Sequence, residues 1–369
     1  MLPSLRILSL LAVCSLALFL IGLTVAPHET TSPSIDSASL VKVEKEAEPL
    51  EPPQQPDAPN EEVKSSESPV ETVERVAKTL SAPVPLPLSP ISLNERVRES
   101  VVNILCIPQS GGVVDAITGS GVFIDPHGVI LTNAHVAQYL LLENYPVQEF
   151  LSCTVRTGSP ARAAYTAEIL FIPPPWIYDN AEKIDDDAPM GNGEHDYALL
   201  YVTKSSNKEK EPPDEFPYLP LLYTEVSGGE DVLIAGYPAG FLGGAAITKD
   251  LYAVSSLTNI GELYTYGTST VDLFSVGGSI VAQQGSSGGA VVDSTGNLVG
   301  LIVTSTDAAD TASRDLHAVS SSYIARDFEE EHGVSLPTFL SRNLKNEMED
   351  FKITTIPHLI DSLAAVLSR

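Results

Sequence analysis

Three short segments of this chain carry side chains that could together break a carbonyl bond: Thr132-Asn133-Ala134-His135-Val136, His195-Asp196-Tyr197-Ala198-Leu199-Leu200 and Gly285-Ser286-Ser287-Gly288-Gly289-Ala290. A serine hydroxyl is a poor nucleophile at neutral pH and needs a base within hydrogen-bond reach. Histidine suits that task, because its ring accepts and returns a proton near neutrality. A buried carboxylate must then fix the ring's tautomer and stabilise the imidazolium. His135, Asp196 and Ser287 supply these parts, in the order His, Asp, Ser. The glycines have a reason of their own. A tetrahedral oxyanion needs two backbone N–H donors, here Gly285 and Ser287. A glycine at 285 tolerates a backbone angle that a Cβ opposes.

Each piece alone has an ordinary explanation. A Gly-Ser-Ser-Gly-Gly string is often a turn, a strand-end histidine is often a partly buried polar residue, and an Asp before an apolar strand is often a cap. Asp185, Asp186 and Asp187 are rivals for the carboxylate role, but they lie on an acidic loop without an apolar strand to hold them. The set gains meaning from the elements around it. Short β-prone runs at 101–107, 121–124, 129–132, 153–156, 167–172 and 197–202 predict one group of strands. Runs at 231–235, 253–256, 279–282, 290–292, 298–304 and 317–320 predict a second. Two groups of six imply an all-β fold of two packed six-stranded antiparallel barrels. A closing helix is expected over 322–332, with Gly333 as its stop. From Leu336 the apolar spacing, including Ile356, Ile360, Leu363 and Leu367, is helical.

The amino-terminal quarter differs in texture. From Ile7 to Val25 there are 19 residues without a charge, enough to cross a bilayer. Pro27 sits where a signal peptidase would cut after Thr24-Val25-Ala26, which favours an uncleaved anchor over a cleaved signal. Arg6 favours the cytoplasmic side, so the rest of the chain is expected outside. Residues 27–90 hold 12 of the 28 prolines, no glycine, and 12 acidic against 5 basic residues. Such a segment cannot bury enough apolar surface to order itself and reads as a disordered stalk. The organisation expected is therefore an anchor over 1–26, a stalk over 27–91, a catalytic domain over 92–333 and a short helical extension over 334–369. The net charge of −27 excludes a nucleic-acid partner bound through a basic surface. No metal or organic cofactor is called for.

The motifs resemble trypsin-fold, chymotrypsin-like serine proteases of the bacterial HtrA/Deg type. Gly119-Ser120-Gly121-Val122-Phe123-Ile124 followed by Gly128-Val129-Ile130-Leu131-Thr132-Asn133-Ala134-His135 is similar to that family's histidine region. Asp196-Tyr197-Ala198-Leu199-Leu200 resembles its aspartate strand, Gly236-Tyr237-Pro238 a segment of its second barrel, and Leu298-Val299-Gly300-Leu301 the strand after its serine loop. Ser286 stands where the family usually has Asn. The 36 residues after Gly333 are too few for the PDZ domain that often follows.

The resemblance implies a serine endopeptidase acting on polypeptide substrates through an acyl-enzyme, with roles in protein quality control or stress signalling. It places Val281 at the base of the primary pocket and makes Ile302, Val303 and Thr304 the strand that binds substrate. With no acid at that base, a small or medium apolar residue is expected at the cleaved position. The barrel it implies makes the strands of Cys106 and Cys153 neighbours, which leaves a disulfide and two free buried thiols both open. Homo-oligomers are common in the family, but no specific trimer contact is found here. The loop 173–194 is expected to be acidic and solvated rather than a calcium site. Two alternatives stay open: a catalytically silent peptide-binding barrel, and a hydrolase of small esters on an α/β sheet.

Overall fold

The computed structural model describes residues 41–42, 86–109, 116–184, 191–240, 242, 244–267, 269–305 and 315–368. The expected anchor over 1–26, most of the stalk, and Asp185, Asp186 and Asp187 lie outside these residues. Among the described residues no helix is long and apolar enough to cross a membrane.

The first barrel is built from β2 (Val101–Pro108), β3 (Ile117–Asp125), β4 (Val129–Thr132), β5 (Leu151–Thr157), β6 (Arg162–Phe171) and β7 (Ala198–Ser205). They pair in the order β2-β3-β4-β7-β6-β5 and close on themselves. Every ladder is antiparallel, and β2 closes on β5 with Cys106 opposite Cys153. These two cysteines form a disulfide, which decides between the alternatives left open by the sequence.

The second unit departs from a six-stranded closed barrel. Its strands are β8 (Asp231–Gly236), β9 (Val254–Asn259), β10 (Leu263–Thr265), β11 (Leu273–Ser275), β12 (Ala290–Asp293), β13 (Leu298–Ser305) and β14 (Leu316–Ser320), with the two-residue β1 (Val41–Lys42) added beside β10. The eight-stranded sheet runs β1-β10-β11-β14-β13-β12-β8-β9 and has two edges. The chain just past β9 nevertheless bridges the gap. The Gly261 N–H donates to Ser275 O at 2.8 Å, and the Ser275 N–H donates to Glu262 O at 2.9 Å. Closure thus comes from a connection instead of a ladder.

Residues 279–282, expected as a strand, form a tight turn: the Ala282 N–H donates to Ser279 O at 2.9 Å and the Gln283 N–H to Val281 O at 2.8 Å. The strand that takes that place is β11, whose Phe274 ring packs over Gly300 so closely that a Cβ there would meet it at 2.6 Å.

Helices complete the fold, among them the short α4 (Gly244–Lys249) after β8. A helix that the strand pattern did not anticipate, α1 (Pro90–Ser100), is capped by Ser89 and buries Leu93 and Val97 against β3 and β8, touching both units. The stretch read as solvated loop begins with the helix α3 (Pro174–Asn180), which buries Trp176 and Ile177. The closing helix α5 (Ser321–His332) starts one residue before its expected position and ends at Gly333, whose φ of 79° is the left-handed cap that glycine favours. The extension folds as α6 (Leu336–Leu340), α7 (Leu344–Thr354) and α8 (Ile356–Leu367). Here α7 packs on β6 and α8 on α3, with Leu359 and Leu363 fully buried in the first barrel's cluster. Burying each such leucine is worth about 1.5–3 kcal/mol. A third cluster joins Val101, Val122, Leu131 and Leu199 of the first barrel to Leu233, Ala290, Leu301 and Val319 of the second, and the three segments of the site meet along this seam.

Candidate active site

Strand β4 ends at Thr132, and the short helix α2 (Ala134–Ala137) follows, so His135 leaves the barrel at its rim. The residue is 6% exposed. Asp196 lies just before β7 and is fully buried. Asp196 Oδ2 lies 2.7 Å from His135 Nδ1, and Oδ1 accepts the His135 backbone N–H at 3.0 Å. Asn133 Nδ2 donates to Asp196 O at 2.8 Å and holds the peptide behind the carboxylate. A carboxylate gripping Nδ1 leaves Nε2 as the ring's free basic nitrogen. The three loop rivals for this role lie outside the described residues, while Asp196 has three hydrogen bonds tying it to the histidine segment.

Ser287 is half-buried, and its hydroxyl donates to Val303 O at 3.4 Å. No hydrogen bond joins it to His135 among the described residues. The backbone around it is arranged for an anion. Among the described residues neither the Gly285 N–H nor the Ser287 N–H has an acceptor, whereas Ser286, Gly288 and Gly289 all donate to carbonyls. Gly285 sits at φ +90°, and a Cβ there would come within 2.7 Å of Tyr237 O. Gly288, at φ +84°, is pressed against Ser120 O with no space for a side chain. Two free amides on a loop shaped by obligatory glycine can hold a developing oxyanion.

A residue that sequence reasoning passed over joins the two halves. Ser120 Oγ, from β3, donates to Gly285 O at 2.7 Å and accepts the Tyr237 N–H at 2.9 Å. Its own N–H donates to Ser287 O at 2.7 Å. Thr132 Oγ1 donates to Ser120 O at 2.7 Å, tying this clamp to the strand that carries the histidine. The only sequence signal was a small polar residue between two glycines inside a β-prone run.

The residues assigned to substrate selection are placed less openly. Val281, Ile302 and Val303 are all buried, the first two in the apolar cluster of the second sheet. Thr304 pairs with His317 across a register shift at the end of the β13–β14 ladder. Burial raises the phenol pKa of Tyr237 to about 12, with Arg98 and Arg156 opposing it. Tyr237 Oη donates to Gly158 O at 3.0 Å, so this tyrosine is a strut between the units rather than an acid. Among the described residues no group of His, Cys, Asp and Glu could hold a metal ion.

Residues 119–301 match the trypsin-like peptidase domain family. No curated protein is a significant match to this sequence. Similar solved structures include Rv3671c protease from M. tuberculosis in its active form, with 21% identity, 74% of this chain and 94% of that chain covered, and a TM-score of 0.39. The inactive form of Rv3671c from M. tuberculosis H37Rv, a serine-to-alanine mutant, has 19% identity, coverage of 69% and 98%, and a TM-score of 0.40. Deg5 has 18% identity, coverage of 66% and 94%, and a TM-score of 0.42. The antiparallel strands set aside the α/β ester hydrolase. The family match spans the histidine, aspartate and serine segments, and the chain is a serine endopeptidase carrying a trypsin-like peptidase domain.

Proposed function

We propose that this endopeptidase works outside the cytoplasm, tethered by residues 1–26, as an HtrA/Deg-type enzyme of protein quality control or stress signalling. In this reading Ser287 Oγ turns from Val303 O, attacks the scissile carbonyl carbon and passes its proton to His135 Nε2. The amides of Gly285 and Ser287 donate to the oxyanion. Collapse expels the amine, which takes the proton from His135. Water then repeats the sequence and frees the acyl group from Ser287. Asp196 holds His135 throughout. The observation that carries the reading is the 2.7 Å Asp196–His135 contact together with the Gly285 and Ser287 amides, which have no acceptor among the described residues.

The disulfide between Cys106 and Cys153 supports an oxidising compartment. The uncharged run over residues 7–25 supports the tether. The apolar side chain of Val281, with no acid in its place, supports a small or medium apolar residue at the cleaved position. The substrates in this reading are polypeptides, laid as an added strand along Val303 and Thr304, because the Ile302 N–H and O are already bonded to Gly289 O and the Gly288 N–H.

Fluorophosphonate labelling tests the chemistry. The wild type is expected to label, Ser286→Ala to label equally, and Ser287→Ala not at all, with peptide hydrolysis lost by at least about 10⁴-fold. Labelling that survives in Ser287→Ala and vanishes in Ser286→Ala would assign the wrong serine. Protease added to spheroplasts is expected to release the catalytic domain; full protection, or a wholly soluble enzyme, defeats the tether.

A further inference from the structure

We propose that His195 and Asp327 form a second histidine–carboxylate pair that positions Asp196, and that loss of the proton on His195 lowers turnover at alkaline pH. This inference rests on the role given above to Asp196. His195 is directly before Asp196 and has φ of 56°, a left-handed conformation uncommon for a residue with a side chain. Its Nδ1 lies 2.8 Å from Asp327 Oδ1 on α5, an ion-pair contact with the two side chains 24% and 6% exposed. The His195 N–H donates to Tyr323 Oη at 3.1 Å, and Tyr323 Oη donates to Asp327 Oδ1 at 3.2 Å. On the other side of Asp196, the Tyr197 N–H donates to His195 O at 2.9 Å, and the Asp196 N–H donates to Gly193 O at 3.2 Å.

The aspartate is therefore the middle of a tight turn held from two directions, by Asn133 from the first barrel and by α5 through His195. Since strand β7 begins only at Ala198, the direction of the Asp196 carboxylate is set by this turn and not by strand alternation. Rotation about His195 φ would swing the carboxylate off His135 Nδ1.

The groups facing His195 are mostly acidic. Asp327, Glu331 and the Tyr323 phenol face it from α5, and Glu194 and Tyr197 lie beside it on its own loop. Tyr266, at the end of β10, packs its ring on Tyr323 at 5.1 Å, and its neighbour Asp272 is already paired with Arg326 at 2.5 Å. Contact with Asp327 raises the His195 pKa above 6.5, outweighing the lowering by burial, and Glu194 and Glu331 add to the rise. A histidine raised in the folded state contributes fully below its unfolded pKa of about 6.5. That contribution is withdrawn as pH climbs through the raised value. The pair thus keeps its charge below that value and loses it on the alkaline side.

The test measures kcat and KM against pH for the full-length wild type, His195→Asn and Asp327→Asn, together with fluorophosphonate labelling. Asparagine tolerates positive φ, so His195→Asn keeps the turn and removes only the cation. Its kcat is expected to fall about tenfold near neutrality with KM unchanged, and the alkaline decline of the wild type to disappear. Asp327→Asn is expected to move that decline to lower pH. In Ser287→Ala, the His195 ring protons followed by NMR are expected to titrate above 6.5, a readout that stands even if Asp327→Asn does not fold. A His195→Asn enzyme with wild-type kcat and an intact alkaline limb overturns the inference, as does a His195 midpoint at or below 6.5. A wild type that takes no fluorophosphonate overturns the triad reading itself; a wild type and variants that label equally fast overturn only the pairing.

Discussion

In the first barrel, His135 and Asp196 are locked by three hydrogen bonds between buried groups, on a cylinder whose every seam is a strand ladder. In the second sheet, Ser287 sits on a loop between a buried turn and β12, its hydroxyl turned to Val303 and its amide without an acceptor among the described residues. One half of the site is held by regular pairing, the other by glycines and a single clamp from across the seam. The difference teaches where each half is vulnerable. The base is sensitive to chemistry at two side chains, while the nucleophile loop is sensitive to backbone shape.

The sharpest way to separate the halves is Asp196→Asn. The side chain keeps its shape but presents an amide to His135 Nδ1 and favours the wrong tautomer. A loss of about 10⁴ in kcat is expected, with the fold retained by circular dichroism. Gly285→Ala attacks the other half. Its Cβ would meet Tyr237 O at 2.7 Å and Ala239 Cβ at 3.0 Å, at φ of +90°. The displaced amide is expected to lower kcat by about 10²–10³. Ser120→Ala probes the clamp between the halves. It removes a donor to Gly285 O and an acceptor for Tyr237, and should lower kcat by about tenfold and stability by about 1–2 kcal/mol in urea unfolding. The smallest effect on catalysis is expected from replacing Cys106 and Cys153 together by Ser. Opening a cross-link with a sequence separation of 47 should cost about 2–4 kcal/mol in stability, with kcat of the folded enzyme unchanged. If Gly285→Ala proved as harmless as the double Ser variant, the contrast between the two halves would collapse.

The first barrel was legible because its strands alternate or run apolar between clear turns. The expected run 129–132 coincides with β4, and the strands of Cys106 and Cys153 are neighbours as expected, although the sequence left their disulfide and two free thiols both open. The second sheet was less so. Residues 279–282 are β-prone, yet Val281 is buried by a turn that follows two glycines, and a buried turn leaves the same apolar signature as a short strand. Strand β11 is only three residues long, below what periodicity detects. Helix α1 hides because only Leu93 and Val97 of its apolar residues face the core, among four charged side chains; the Ser89-Pro90 start was its one local signal. For the site, residue type announced the nucleophile, base and carboxylate candidates. It could not announce Ser120 or the His195–Asp327 pair, whose partners lie 165 and 132 positions away along the chain.

The Cys106–Cys153 link has a bearing on self-digestion. An endopeptidase is exposed to cuts by its own copies, and His135 lies inside the covalent loop that this bond closes. A nick anywhere between the two cysteines leaves both new ends attached to one molecule, with the histidine segment still stitched between β2 and β5. Such a nicked enzyme would migrate as a single band until reduced, and would lose its general base to dilution only after the reductant had done its work.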